Sequence, residues 1–206
     1  MRRNKSFILL SVSLTGKSLW DFSNSSQKSK IRRKKIKNKI RIEKQLALIS
    51  EELNKAFNAQ IKEELDSGYL YLGMSIWLKE HNFENLANWY WIQAKEEFEH
   101  AEKFWKYIIE TGGTVELLEL KKPKSDWKSV EEILKAGLAH EQYITNKITE
   151  LWKLAEKLKE LQPRSLLQWF INEQIEEEAN ATALIEIHVA YKNDMLFDRH
   201  VHREDD

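Results

Sequence analysis

The chain has 206 residues, with 42% apolar and 32% charged side chains, enough for one domain with a sizeable core and a tail. Six glycines and two prolines, Pro123 and Pro163, are too few turn-formers for a many-stranded sheet protein and favour long helices. With no cysteine, a disulfide framework, zinc ribbons, thiolate-held iron–sulfur clusters and cysteine nucleophiles are excluded, and no apolar run approaches the ~20 residues of a membrane span.

A formal net charge of zero conceals a split. Residues 1–44 carry fourteen Lys and Arg against Asp21 and Glu43, which leaves nineteen basic and thirty-one acidic residues for the rest. A basic extension, 1–44, is expected to precede an acidic domain, 45–206. The run FILLSVSL after Arg2, Arg3 and Lys5 has the flavour of a signal peptide, but it is short and no A-x-A-like site follows, so a cytoplasmic protein is expected. The block KIRRKKIKNKIRIEK at 30–44 reads as a solvated, loosely helical or disordered tail, with contact to nucleic acid or an anionic surface as the alternative.

From Leu46 the text takes on a 3.6-residue period. A first helix is predicted over 46–79 and a second over 83–111, stopped at Gly112-Gly113. The extended stretch TVELLELKKPKSDW follows. Ser129-Val-Glu-Glu132 reads as a capping box opening a third helix over 130–160, which Gln162-Pro163 breaks. A fourth helix covers 164–190, and MLFDRHV forms a brief fifth. The first pair and the last pair have short connections, so each is an antiparallel hairpin. The ~18 residues between the second and third can travel the length of a ~40 Å helix. The fold expected is all-α: a four-helix bundle with one long crossover and a short C-terminal helix.

The inward stripes are Leu53, Phe57, Ile61, Glu64, Gly68, Tyr71; then Leu86, Tyr90, Gln93, Glu97, His100, Phe104; then Leu134, Leu138, Glu141, Ile144, Ile148; then Leu167, Phe170, Gln174, Glu177, Ala181. Each holds one glutamate near the middle of its helix, and in a bundle of near-equal helices the midpoints share a level. Four carboxylates cannot share a dry core uncompensated, because each buried charge costs several kcal/mol and neighbours repel. Either some are protonated, or basic side chains pair with them, or cations lie between them. No Lys or Arg falls on the stripes at this level. Oxygen ligands with one imidazole suit Fe(II), Mn(II) or, less selectively, Zn(II). For any one position a solvated Glu or a hydrogen-bonded core His is the commoner case; four coincident midpoints and the Glu97-x-x-His100 spacing favour a dinuclear metal site.

The strings EELDSGYLY (63–71), ANWYWIQAKEEFEHA (87–101), AHEQYITNKITELW (139–152) and LLQWFINEQIEEEA (166–179) resemble the non-haem ferritins of bacteria and archaea, across about residues 46–200. The resemblance implies a ferroxidase centre with two irons per chain. One would be held by Glu64, Glu97 and His100, the other by Glu141 and Glu177, with Glu97 bridging and Gln174 close by. Glu96, Glu173 and Glu176 match an adjacent third iron site that shares Glu177, although by pattern alone they read as a solvated acidic face. Tyr71 and Trp169 match aromatic residues beside the centre, where they limit water access, carry an electron or simply pack. Bacterioferritins carry a second E-x-x-H on the last long helix, where this chain has Gln174-x-x-Glu177, and no haem is expected. Rubrerythrins need cysteine, and mini-ferritins need histidines on a first helix that here has none. Asp66 stands where many relatives carry Tyr, off the metal stripe. The short terminal helix departs from the family around its fourfold channel.

The resemblance further implies iron storage: Fe(II) is oxidised by dioxygen or peroxide and deposited as ferric oxyhydroxide inside a hollow 24-subunit cage of identical chains. A di-iron or di-manganese oxidoreductase of the same fold that stores no mineral is the alternative.

Overall fold

The computed structural model describes residues 29–36 and 47–203. Contacts divide the chain into two units, Met1–Gln45 and Leu46–Asp206. In the first, residues 29–36 form an exposed helix, α1, rich in Lys and Arg; the FILLSVSL run and the rest of the basic block lie outside the described residues. The second unit holds α2 (Glu51–Glu80), α3 (Glu84–Glu110), α4 (Val130–Leu158), α5 (Arg164–Tyr191) and α6 (Asp194–His200). Among the described residues there is no strand, and no helix is long and apolar enough to cross a membrane.

Local chemistry sets the helix ends. α2 begins five residues later than the apolar period suggests, because the Ser50 hydroxyl accepts from the Leu53 amide at 3.1 Å and Glu51 and Glu52 follow in the first turn. Residues 47–50 instead run alongside the far end of α3, where the Leu48 amide donates to the Thr111 carbonyl at 2.8 Å. Gly112, at φ 76°, takes the left-handed conformation that ends α3, at little steric cost without a Cβ. Ser129 caps α4 through the Glu132 amide, as its motif predicts, and Lys159 in the left-handed region closes that helix two residues earlier than expected. The α3 start is different. Phe83 cannot cap it, so Asp198 of α6 accepts from the Leu86 amide at 2.9 Å and serves as a cap from a distant helix.

α2 and α3 run antiparallel, as do α4 and α5; α3 and α4 run parallel, joined by the crossover at 111–129. The crossover follows a polar stripe on the outside of α2. Asn54 exchanges hydrogen bonds with the Thr114 backbone at 2.9 and 3.0 Å, Asn58 accepts from the Glu116 amide at 2.7 Å, and Asp66 accepts from the Lys121 amide at 2.9 Å. The unusual Asp66 therefore fastens the crossover.

Two apolar clusters fill the bundle. One joins Tyr71, Met74, Leu78, Leu86, Tyr90, Ile133, Leu134, Leu184 and Phe197. The other joins Leu53, Phe57, Ile61, Phe104, Ile108, Ile144, Ile148, Leu167 and Phe170. Between the two clusters each long helix buries one glutamate, Glu64, Glu97, Glu141 and Glu177, so a polar layer separates the apolar halves.

Candidate metal centre

Glu64, Glu97, Glu141 and Glu177 are all buried, the most exposed of them at 4%, as are His100 and Gln174. α2 and α3 approach closely here because position 68 is glycine: a Cβ would stand 3.1 Å from the Ala94 carbonyl oxygen and 3.3 Å from the Glu97 Cβ. Glu64, Glu97 and His100 each offer a ligand atom within 4.8 Å of the others, and so do His100, Glu173 and Glu177. His100 links the two groups, with Nδ1 3.3 Å from Glu97 Oε2 and Nε2 3.7 Å from Glu173 Oε1.

The other contacts orient these side chains. Gln60 donates to Glu64 Oε1 at 2.9 Å, while Glu64 Oε2 is buried with no hydrogen-bond partner. Tyr71 donates its hydroxyl hydrogen to Glu141 Oε1. Gln174 donates to Glu141 Oε2 and to the Glu141 carbonyl, each at 3.2 Å. Trp169 sets an edge against the His100 ring, with centroids 5.6 Å apart, and carries Lys103 over its own face.

The electrostatics is that of a crowded anionic layer. Burial, then the charge of Glu97, pushes Glu64 up to about 8. Burial, then Glu97, pushes Glu177 up to about 7, and burial with Glu97 and Glu177 holds Glu141 well above the carboxylate range. Burial alone would lower His100, but its bonds to Glu173 and Glu97 and the charges of Glu97 and Glu64 outweigh that and raise it well above the usual imidazole value. Glu97 thus acts on every other acid of the layer, as a central or bridging ligand would.

The residues matched to a third site are placed less uniformly. Glu173 is half-buried and joins His100 and Glu177. Glu176 is exposed. Glu96 is half-buried and pairs with Arg203, from the segment after α6. Burial raises the Glu96 carboxyl, and the Arg203 guanidinium offsets part of that rise. Neither Arg203 nor the Gln60 donor is evident from the sequence: Gln60 sits one turn from Glu64 at the i,i+4 spacing that permits the bond, but nothing local marks Arg203.

The donor set fits transition-metal ions with a preference for oxygen: an orphaned buried carboxylate oxygen, further carboxylates with raised proton affinity, and one imidazole. A ferritin-like domain profile matches residues 54–187, nearly the whole four-helix unit. The chain belongs to the ferritin family. It is 36% identical over 146 residues to the bacterial non-heme ferritin of Staphylococcus haemolyticus, covering 71% of this chain and 86% of that one. The Campylobacter jejuni non-heme ferritin is 36% identical over 132 residues, covering 64% and 79%. The solved open-pore ferritin of the archaeon Archaeoglobus fulgidus superposes with a TM-score of 0.74 at 32% identity, over 76% of this chain and 98% of that one. Ferritin membership accounts for the four-helix bundle. The basic extension lies outside the matched residues.

Proposed function

We propose that this ferritin stores iron and is a ferroxidase, taking up Fe(II) as substrate and depositing it as ferric oxyhydroxide within a shell built from copies of the chain. The observation that carries this reading is the buried layer of four glutamates with Glu97 acting on the other three and Glu64 Oε2 without a partner. Two divalent cations in that layer would supply the missing positive charge. Glu64, Glu97 and His100 suit one ion; Glu141 and Glu177 suit the other, with Glu97 between them and Gln174 holding Glu141.

Loading displaces protons, because Glu64, Glu141, Glu177 and His100 bind a metal only when deprotonated. Each Fe(II) gives up one electron. Dioxygen takes both with two protons and becomes hydrogen peroxide, or peroxide takes both with two protons and becomes water. Oxygen ligands favour the ferric product, whose bound water readily loses protons as it hydrolyses to mineral. Burial and the Glu141 charge raise the Tyr71 phenol, which stays protonated and keeps Glu141 in place. Glu173 and Glu96, beside the pair, together with Glu176, suit a third ion passing from the centre. Assembly is supported by an apolar groove of about 560 Å³ on the outer face of α2 and α3, lined by Tyr69, Leu72, Trp91, Phe98 and Leu120, which a second copy would cover. A cytoplasmic location, where Fe(II) is available, fits this role.

The test is iron retained per chain after aerobic loading with Fe(II), measured on the size-exclusion peak. Hundreds of irons in a shell-sized peak are expected. About two irons on a small oligomer would make the protein a di-iron oxidoreductase that stores nothing, and no retained iron would overturn the metal reading altogether.

A further inference from the structure

The segment after α6 is laid along α3. Phe197 and Val201 are buried in the core, Asp198 caps α3 through Leu86, and the Asn88 side chain donates to the Arg203 carbonyl at 3.2 Å. The Arg203 side chain then spans Trp89, Gln93 and Glu96, which at i, i+4 and i+7 share one face of α3. Its guanidinium carbon lies 4.6 Å from the Trp89 ring centroid, one nitrogen donates to Gln93 Oε1 at 2.6 Å, and the other pairs with Glu96 Oε2.

An arginine only donates, so Gln93 must present its oxygen to Arg203 and turn its amide nitrogen the other way. That nitrogen is buried without a hydrogen-bond partner. Glu96 also borders a polar mouth of about 460 Å³ that it shares with His100 and Glu173. One guanidinium therefore holds both a carboxylate at the mouth of the centre and a buried amide one turn before Glu97 on the same helix.

We propose that Arg203 is a positioning residue whose guanidinium occupies the place of a third cation at Glu96, so that Glu96 becomes a ligand only when the segment after α6 lets go. This inference rests on the metal reading above and adds a control to it. An arginine beside a carboxylate typically lowers its proton affinity at least tenfold, and it competes with a metal ion for the same oxygens in the same way. The third ion would then bind weakly at rest, and its arrival would lift Arg203 from Trp89.

The test uses the full chain and Zn(II), which does not change oxidation state, in calorimetric titrations of wild type, Arg203→Gln and Arg203→Lys. Wild type is expected to bind two ions tightly and a third weakly. Arg203→Gln should bind the third about tenfold more tightly, and Arg203→Lys, which keeps the charge, should stay close to wild type. Quenching or release of Trp89 emission at the third equivalent, absent in Trp89→Phe, reports the departure of the guanidinium. Two tight ions in wild type with an unchanged third in Arg203→Gln would overturn the clamp and leave the di-metal reading standing. No binding by wild type would overturn both, and loss of the two tight ions in Arg203→Gln would overturn the clamp by making Arg203 a structural support instead.

Discussion

The Tyr71 hydroxyl donates to Glu141 across the boundary between an apolar cluster and the polar layer. It is the point where the hydrophobic half-core anchors a carboxylate. Tyr71→Phe keeps the ring in its packing with Tyr90 and leaves Glu141 with one donor fewer. The metal-free variant should lose about 1–2 kcal/mol, the usual effect of removing one partner of a buried hydrogen bond. Urea unfolding of the metal-free protein measures it; an unchanged midpoint would mean that Gln174 alone secures Glu141.

Glu97 repels Glu64, Glu141 and Glu177 at once. Glu97→Gln removes that charge and keeps the shape, so the Glu64, Glu141 and Glu177 carboxyls of the metal-free protein should lose their protons at lower pH. The same change should abolish rapid Fe(II) oxidation while assembly persists. Wild-type oxidation rates in this variant, followed by stopped-flow absorbance, would remove Glu97 from the site.

Acidity should stabilise the metal-free protein. Glu64 and Glu177 titrate at about 8 and about 7 when folded and near 4.5 when unfolded, so between those values the folded chain holds the extra protons. Stability then falls as pH rises from about 4.5 to 8. His100 acts in the same direction above its ordinary value, since it too is raised. Zn(II) should flatten or reverse the slope by replacing those protons. Thermal melts across pH 5 to 8, with and without Zn(II), test this; a metal-free melting temperature that climbs with pH would contradict the assignment of buried protonated glutamates.

Asp198→Ala should cost about 1–2 kcal/mol, as for other lost helix caps, because Phe83 leaves α3 without one of its own. It should also loosen Arg203 from Glu96. Hydrogen exchange at the first turn of α3 and at 197–203 should rise together, and a rise confined to 197–203 would show that α3 does not depend on this cap.

The helices, their order and the crossover were legible because they are written in local signals: inward stripes, Ser129-Val-Glu-Glu132, Gly112-Gly113 and Pro163. The four glutamates were legible because they interrupt those stripes at the same height. The start of α2 was placed too early, because the apolar residues Leu46 to Ile49 extend the period while Ser50 begins the hydrogen bonding. Beyond Lys62, one turn away, Asp66 holds a backbone amide of the crossover, which has no side-chain signature, although Asn54 and Asn58 on the same face hint at it. Arg203 was invisible for the same reason at longer range: it meets Gln93 and Glu96 more than a hundred residues away.

The polar layer also divides the bundle mechanically. A helix bundle with one continuous core yields as a single cooperative body, whereas here two greasy halves are joined by four helices crossing a seam of buried carboxyl groups. Without metal that seam is the weak plane of the molecule. An ion held there acts as a rivet, so filling the centre should make two half-bundles unfold as one.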